Sequence, residues 1–172
     1  MRRFPWRWVL LGILALTGVG IFVVDHWGPE AATRRARALV NGKDYPQAIQ
    51  LFTRAIEIDP KYAPAYHGRG VAYLNQGERD RAIADFSEAI RLDPTDARAL
   101  YHRGVAYFRS GDYDRALPDF SEAIRLSPAS ANGYLARSKV YAKKGNEAQA
   151  KADRQKALEL DPLLEKADDV NP

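Results

Sequence analysis

The pentapeptide RGVAY stands at 69–73 and again at 103–107, and the heptapeptide FSEAIRL at 86–92 and again at 120–126. Both spacings are 34 residues, and Pro60, Pro94, Pro128 and Pro162 keep the same interval. This period constrains the fold more than any composition figure. Each copy is one small unit that cannot bury its own apolar face, so copies must stack. Four units follow, 29–62, 63–96, 97–130 and 131–164, in a chain of 172 residues. A chain of this length is expected to form a single domain, which the repeat turns into one domain built of four copies.

Each unit divides into two helical patterns. In 63–96 the first is expected from Ala65 to about Asn75, and Gly77 breaks it. The second is expected from about Asp80 to Leu92. It is ended by Asp93-Pro94, because a residue before proline is pushed out of helical backbone. Ile83, Phe86, Ala89 and Ile90 fall on one face of this second helix, and Tyr66, Gly70 and Tyr73 form the matching stripe of the first. Stacked copies bury both stripes.

At these offsets the sequence resembles the tetratricopeptide repeat (TPR) family. Its pattern is a large residue, Gly, an aromatic, Ala, an aromatic, Ala and Pro. Unit two has Tyr66, Gly70, Tyr73, Ala82, Phe86, Ala89 and Pro94, and unit three has Leu100, Gly104, Tyr107, Ala116, Phe120, Ala123 and Pro128. Unit one is degenerate in its first helix (Ala32, Ala36, Leu39) but recovers with Ala48, Phe52, Ala55 and Pro60. Unit four keeps Tyr134, Tyr141, Ala150, Ala157 and Pro162, with Ser138 at the glycine position and Arg154 in place of the second aromatic. The resemblance implies an all-α solenoid of four helix-turn-helix units in a right-handed superhelix, and it covers 29–164.

Departures from the pattern have physical readings. Gly70 and Gly104, opposite Ala82 and Ala116, let paired helices approach closely. Arg154 gives the last unit the polar outer face that a terminal repeat needs. Leu163 and Leu164 are expected to add a short cap ahead of the tail 165–172. Pro118 lies inside a second helix and is expected to kink it, whereas Pro46 and Pro64 fall in first turns, where they are tolerated.

The resemblance also implies a working face. First helices of the family line a groove, and the matching positions here supply Thr33, Arg37 and Asn41, then His67, Val71, Leu74 and Asn75. Unit three supplies Arg98, Tyr101, His102, Val105, Phe108 and Arg109; unit four supplies Asn132, Leu135, Lys139 and Lys143. This floor is aromatic and basic. It suits a segment of another protein with apolar anchors and some acidic character. Members that clasp the acidic C-terminus of chaperones use Lys and Asn, then Asn, then Lys and Arg. The corresponding residues here are Thr33 and Arg37, Gly68, Arg98 and His102, and a start one unit later fares no better. Chaperone binding is not inferred.

Arginine recurs at the seventh position of every unit, as Arg35, Arg69, Arg103 and Arg137, while Asp85, Asp119 and Asp153 recur on the facing helix. A basic ladder for an anionic ligand is one reading. Internal ion pairs are the expectation for the last three, with Arg35 unmatched because Leu51 stands opposite. His67 and His102 fall on neighbouring first helices, without the further ligands or the spacing that a metal site needs. No nucleophile-elbow, Walker or dinucleotide-binding motif occurs. The chain has no Cys, which excludes thiolate sites and disulfides. The expectation is a protein without catalytic activity, cofactor or metal.

Residues 8–24 (WVLLGILALTGVGIFVV) carry no charge and would reach about 25 Å as a helix. Arg2, Arg3 and Arg7 precede them, Asp25 follows, and Trp6, Trp8 and Trp27 stand near the two ends, as at a bilayer interface. We read this stretch as an uncleaved transmembrane anchor behind a basic flank, 1–7. The alternatives are a cleaved secretory signal, for which Gly18-Val19-Gly20 is a poor processing site, and a buried helix. The flanking arginines favour a cytoplasmic N-terminus with the repeats exported.

Outside the first 28 residues, 23 basic side chains face 21 acidic ones, too even a balance to indicate nucleic acid. The resulting expectation is a membrane-tethered adaptor or scaffold. It holds a protein or peptide partner in its groove and aids assembly of membrane or envelope complexes. Self-association and a soluble secreted binding module are the alternatives.

Overall fold

Proline, aspartate and glycine punctuate the chain at the period of 34, and the helices fall between them. A computed structural model describes residues 28–164. Among these residues the order is α1 (Pro29–Asn41), α2 (Tyr45–Ile58), α3 (Ala63–Gln76), α4 (Arg79–Leu92), α5 (Ala97–Arg109), α6 (Tyr113–Leu126), α7 (Ala131–Lys143) and α8 (Glu147–Leu160). Each helix packs on the next in sequence, giving four stacked pairs. This is the all-α solenoid that the repeat implies.

The helix ends are set by local chemistry. Asp44, Asp96, Asp112 and Ser130 cap α2, α5, α6 and α7 by accepting hydrogen bonds from backbone N–H groups of the first turn. Asp59, Asp93 and Asp161 end α2, α4 and α8 in extended backbone ahead of a proline. Their carboxylates then accept from the N–H two residues on, at 2.9–3.0 Å. Pro118 does not interrupt α6, which runs unbroken from Tyr113 to Leu126 with the ring exposed.

The turn inside each pair is left-handed at one position. Gly77, Gly111 and Gly145 have φ of 83°, 80° and 75°, and unit one has Lys43 at φ 62° in the equivalent place. A side chain there costs roughly 1–2 kcal/mol.

Phe52, Phe86 and Phe120 are the largest fully buried side chains of the seams, together with Val140. Each ring is held on two sides. A Cβ built on Gly70 would sit 2.7 Å from the Phe86 ring, and one on Gly104 would sit 2.9 Å from the Phe120 ring. These glycines therefore make room for a phenylalanine of their own unit, and not chiefly for the alanines opposite. On the far side each ring meets the sixth residue of the following unit. That residue is Gly68 under Phe52, His102 stacked on Phe86 at 5.7 Å and 18°, and Ala136, which packs against the cluster of Ala116, Phe120 and Val140. Unit four has Arg154 where a ring would be, and its glycine position carries Ser138, whose hydroxyl donates to Leu135 O at 2.8 Å. Leu163 is 71% exposed and Leu164 is half-buried; the rest of the expected C-terminal cap lies outside the described residues.

The recurring arginines form the expected ion pairs and add a third partner. Arg69, Arg103 and Arg137 each donate two hydrogen bonds to Asp85, Asp119 and Asp153 at 2.7–2.8 Å. The remaining guanidinium nitrogen of each donates to Thr53, Ser87 or Ser121 of the preceding unit, at 3.1, 3.2 and 3.3 Å. One arginine thus ties three helices, and the aspartate side chains are only 7–11% exposed. In unit one, Arg35 is exposed and Leu51 replaces the aspartate.

His67 and His102 sit in the seam between units two and three, with His67 Nε2 3.0 Å from His102 Nδ1. His102 Nδ1 is also 2.9 Å from Arg98 O. A carbonyl only accepts, so His102 carries its hydrogen on Nδ1, and His67 Nε2 is left as an acceptor. Burial first, and then His102, pull the His67 pKa down to about 4; burial also lowers that of His102. The pair is neutral at pH 7.

Lys43→Gly should raise stability by about 1 kcal/mol in urea unfolding, and Gly111→Ala should lower it by a similar amount; the reverse signs would contradict the turn assignment. Arg103→Ala strands a nearly buried carboxylate and should cost about 2–4 kcal/mol, towards the range for a broken buried pair. Arg35→Ala should stay within about 0.5 kcal/mol of the parent. Unfolded His67 takes up a proton near pH 6.5 and folded His67 near 4, so its contribution is full above 6.5 and lost as pH falls toward 4. His67→Gln should therefore shrink the drop in Tm between pH 6.5 and 4.5, and an unchanged drop would exclude that role.

Candidate groove and its neighbours

The bend of the stack defines the face available to a partner. Among the described residues, α1 touches α3, α3 touches α5, and α5 touches α7, while α2, α4, α6 and α8 make no contacts with one another. Helices on the inside of a bend are closer together than those outside. The first helices therefore line the concave side, where the sequence places the groove.

The predicted groove residues divide by exposure. Arg37, Asn41, Asn75, Arg98, Arg109, Asn132, Lys139 and Lys143 are exposed. Val71, Tyr101, Val105, Phe108 and Leu135 are half-buried and form its floor. Two groups are corrections. Leu74 is 6% exposed and packs with Ala82, Phe86 and Ala106, so it belongs to the core; Thr33 is likewise buried. His67 and His102 point at each other and at Phe86, so His67 Nε2 and His102 Nδ1 are occupied within the seam. Tyr101 and Phe108 are not a pair of fully exposed rings. Tyr101 lies 5.7 Å from Phe120 and Phe108 lies 5.4 Å from Tyr113, so each ring is packed on one side.

A cavity of about 220 Å³ opens where α5 and α7 begin, lined by Ala97, Arg98, Tyr101 and His102 on one side. Ala123, Ser127, Ser130, Asn132 and Gly133 complete it. Sequence reasoning missed Ser127, Ser130 and Gly133. One signal was present: the third residue of the unit is Ala31, Ala65 and Ala99, but Gly133 in unit four. A Cβ on Gly133 would lie 3.0 Å from Ile124 Cγ1, so alanine would crowd the same seam. Burial raises the Tyr101 pKa, and the phenol stays protonated. Desolvation opposes ionisation of Asp96, but the Arg98 side chain and N–H outweigh it and hold the carboxyl below its usual range. Arg98 is thus partly occupied by Asp96, at 3.1 and 3.3 Å.

Charge is unevenly divided between the two faces. The first helices carry three arginines in α1, one in α3, three in α5, and one arginine with two lysines in α7, against Glu30 alone. The second helices carry nine basic and ten acidic residues. Among the described residues no three His, Cys, Asp or Glu side chains are grouped to hold a metal. No described helix is long and apolar enough to cross a membrane, and the apolar stretch 8–24 lies outside the described residues.

Known proteins carry the same architecture. A curated relative, DnaJ protein P58IPK homolog B of Oryza sativa subsp. japonica, is 33% identical over 72 residues. That match takes 40% of this chain and 15% of the relative, so the chain spans only a small part of the relative's length. The crystal structure of MamA superposes with a TM-score of 0.74 at 25% identity, covering 85% of each chain. MamA from Desulfovibrio magneticus RS-1 gives 0.72 at 20% identity over 89% of this chain and 92% of its own, which shows the fold alone. The Arabidopsis OM64 TPR domain gives 0.66 at 25% identity, over 67% of this chain and 96% of its own. The sequence profile of the tetratricopeptide repeat matches residues 67–131 and 106–164, and a second TPR repeat profile matches 36–77. The chain belongs to the tetratricopeptide repeat family.

Proposed function

We propose that this protein is a non-catalytic adaptor that holds a segment of a partner protein against its first-helix face. The observation that carries the reading is the concave row of α1, α3, α5 and α7. It presents exposed polar side chains around a half-buried aromatic and aliphatic floor, with a side-chain-sized cavity beside Tyr101. Membership of a repeat family of scaffold-like proteins supports it. Bringing a segment onto a preformed rigid surface avoids ordering the binding site at the moment of capture.

The second part of the proposal concerns place. Residues 8–24 tether the repeats to a membrane with the N-terminus on the cytoplasmic side and the repeats exported. The support is the uncharged run with its flanking arginines and tryptophans. Confinement to a surface raises the effective concentration of the groove for partners in the same membrane. An adaptor so placed helps assemble membrane or envelope complexes.

Pull-down from detergent-solubilised membranes tests the groove. Tyr101→Ala with Arg109→Ala removes one floor ring and one rim cation, each worth about 1–2 kcal/mol if it is a binding hot spot. Capture should fall at least tenfold while helical content is retained. Undiminished capture would place the partner on another face. Mass spectrometry of the mature N-terminus tests the tether: an intact peptide spanning Phe4–Val24 is expected, and a new terminus after about residue 20 would remove it.

A further inference from the structure

We infer that the captured segment is acidic, with an apolar side chain seated in the cavity between Tyr101 and Gly133 and its carboxylates about four residues away. The inference rests on the groove reading above and adds the chemistry of the partner. Of the ten cations on the first helices, Arg69, Arg103 and Arg137 are neutralised by aspartates from the second helices, and Arg98 is held by Asp96. The exposed remainder lies in two clusters. Arg34, Arg35 and Arg37 stand on α1, while Arg109, Lys139 and Lys143 stand toward the C-terminal ends of α5 and α7. None of these six is ion-paired among the described residues, and Glu30 is the single acidic residue on the four helices. The outer helices are nearly balanced, so the surplus of positive charge lies on the first helices, with Arg37, Arg109, Lys139 and Lys143 at groove positions.

The cavity is not itself an anion site. Its arginine is already engaged by Asp96, its histidine donates to Arg98 O and Ser130 Oγ accepts from Gly133 N–H, so Ala97, Ala123 and the Tyr101 ring form an apolar wall for one side chain opposite Ser127 and Asn132. From Tyr101 to Arg109, or from Gly133 to Lys143, the rise along the helix is about 12–15 Å. An extended segment crosses that distance in about four residues. An anchor in the socket therefore brings residues four or so further along to Arg109, Lys139 and Lys143.

A nucleic acid fits the same charges less well. The uncharged exposed surface of α3 separates the two cationic clusters, so there is no continuous stripe to follow evenly spaced phosphates. A socket for one apolar side chain also has no counterpart in a phosphodiester backbone.

Panning a random 12-residue peptide library on the full chain in detergent tests the inference. Enriched peptides should be net negative, with acidic residues about four positions from an apolar one. The charge-reversed variant Arg109→Glu, Lys139→Glu, Lys143→Glu changes only exposed side chains. It should lose at least tenfold in affinity for a selected peptide and regain it when that peptide's acids are replaced by lysine. Raising salt from 50 to 500 mM should weaken the acidic peptide alone. Neutral or basic consensus peptides, or equal affinity of parent and charge-reversed chains, would overturn the inference. So would tighter binding of a 12-nucleotide RNA, or occupancy of the groove by a second copy of the chain that the peptide cannot displace. Enriched non-acidic peptides that still respond to Tyr101→Ala with Arg109→Ala would leave the groove reading standing. Insensitivity to every groove change would remove both.

Discussion

The seams of this solenoid depend on one shared ring per junction. Phe52, Phe86 and Phe120 each emerge from a second helix, lie against a small residue of their own unit, and end on the sixth residue of the next. Loss of such a ring removes contact with two units at once, and a buried Phe→Ala change costs roughly 3–5 kcal/mol in any core. The arginine clips act on the same junctions. Each guanidinium spans an aspartate within its unit and a hydroxyl of the unit before, so it fixes the relative rotation of neighbouring pairs. Apolar contact supplies cohesion, and the charged clip with its defined geometry supplies register. Together they hold the concave face in a fixed shape before any partner arrives.

The charge of the two faces follows from the same clips and from what they leave over. The arginine of each clip comes from a first helix and its aspartate from a second. Pairing therefore removes acidity from the outer helices as it removes basicity from the inner ones. The cations that remain, Arg37, Arg109, Lys139 and Lys143 among them, form no ion pair among the described residues and stand exposed. Small overall charge thus conceals a polarised surface, because the averages of residues 29–164 mix helices of opposite duty.

Features that repeat were legible in the sequence, because repetition reports packing that every unit must satisfy. The helix pairs, the arginine–aspartate partners and the Asp-Pro stops could be read from spacing alone. Gly77 was visible as the break between the helices of unit two, but its left-handed backbone was not, and Lys43 shows that a copy can fill that turn with a side chain. What the period could not reveal lies where one unit meets a different residue in the next. His102 occupies a position that holds Gly68 one unit earlier and Ala136 one unit later, and only the structure shows it stacked on Phe86. The offset of Leu74 assigns it to the groove, yet it packs with Ala82, Phe86 and Ala106 in the core. The socket at Gly133 is likewise a local departure, built partly from a loop where spacing carries no information about shape. The third partner of each clip was written at the same interval, as Thr53, Ser87 and Ser121, but hydroxyl residues on a helix have too many uses to be read without geometry.

The central claim is that the concave row of first helices is the working surface. Site-specific photo-crosslinking in cells that produce the full chain tests it most directly, with a benzophenone amino acid placed once at Arg109 on α5 and once at Arg125 on α6. Both side chains are exposed, and they belong to opposite faces of the stack. The account predicts a discrete crosslinked partner from position 109 and none from position 125. Crosslinking from 125 alone would contradict it.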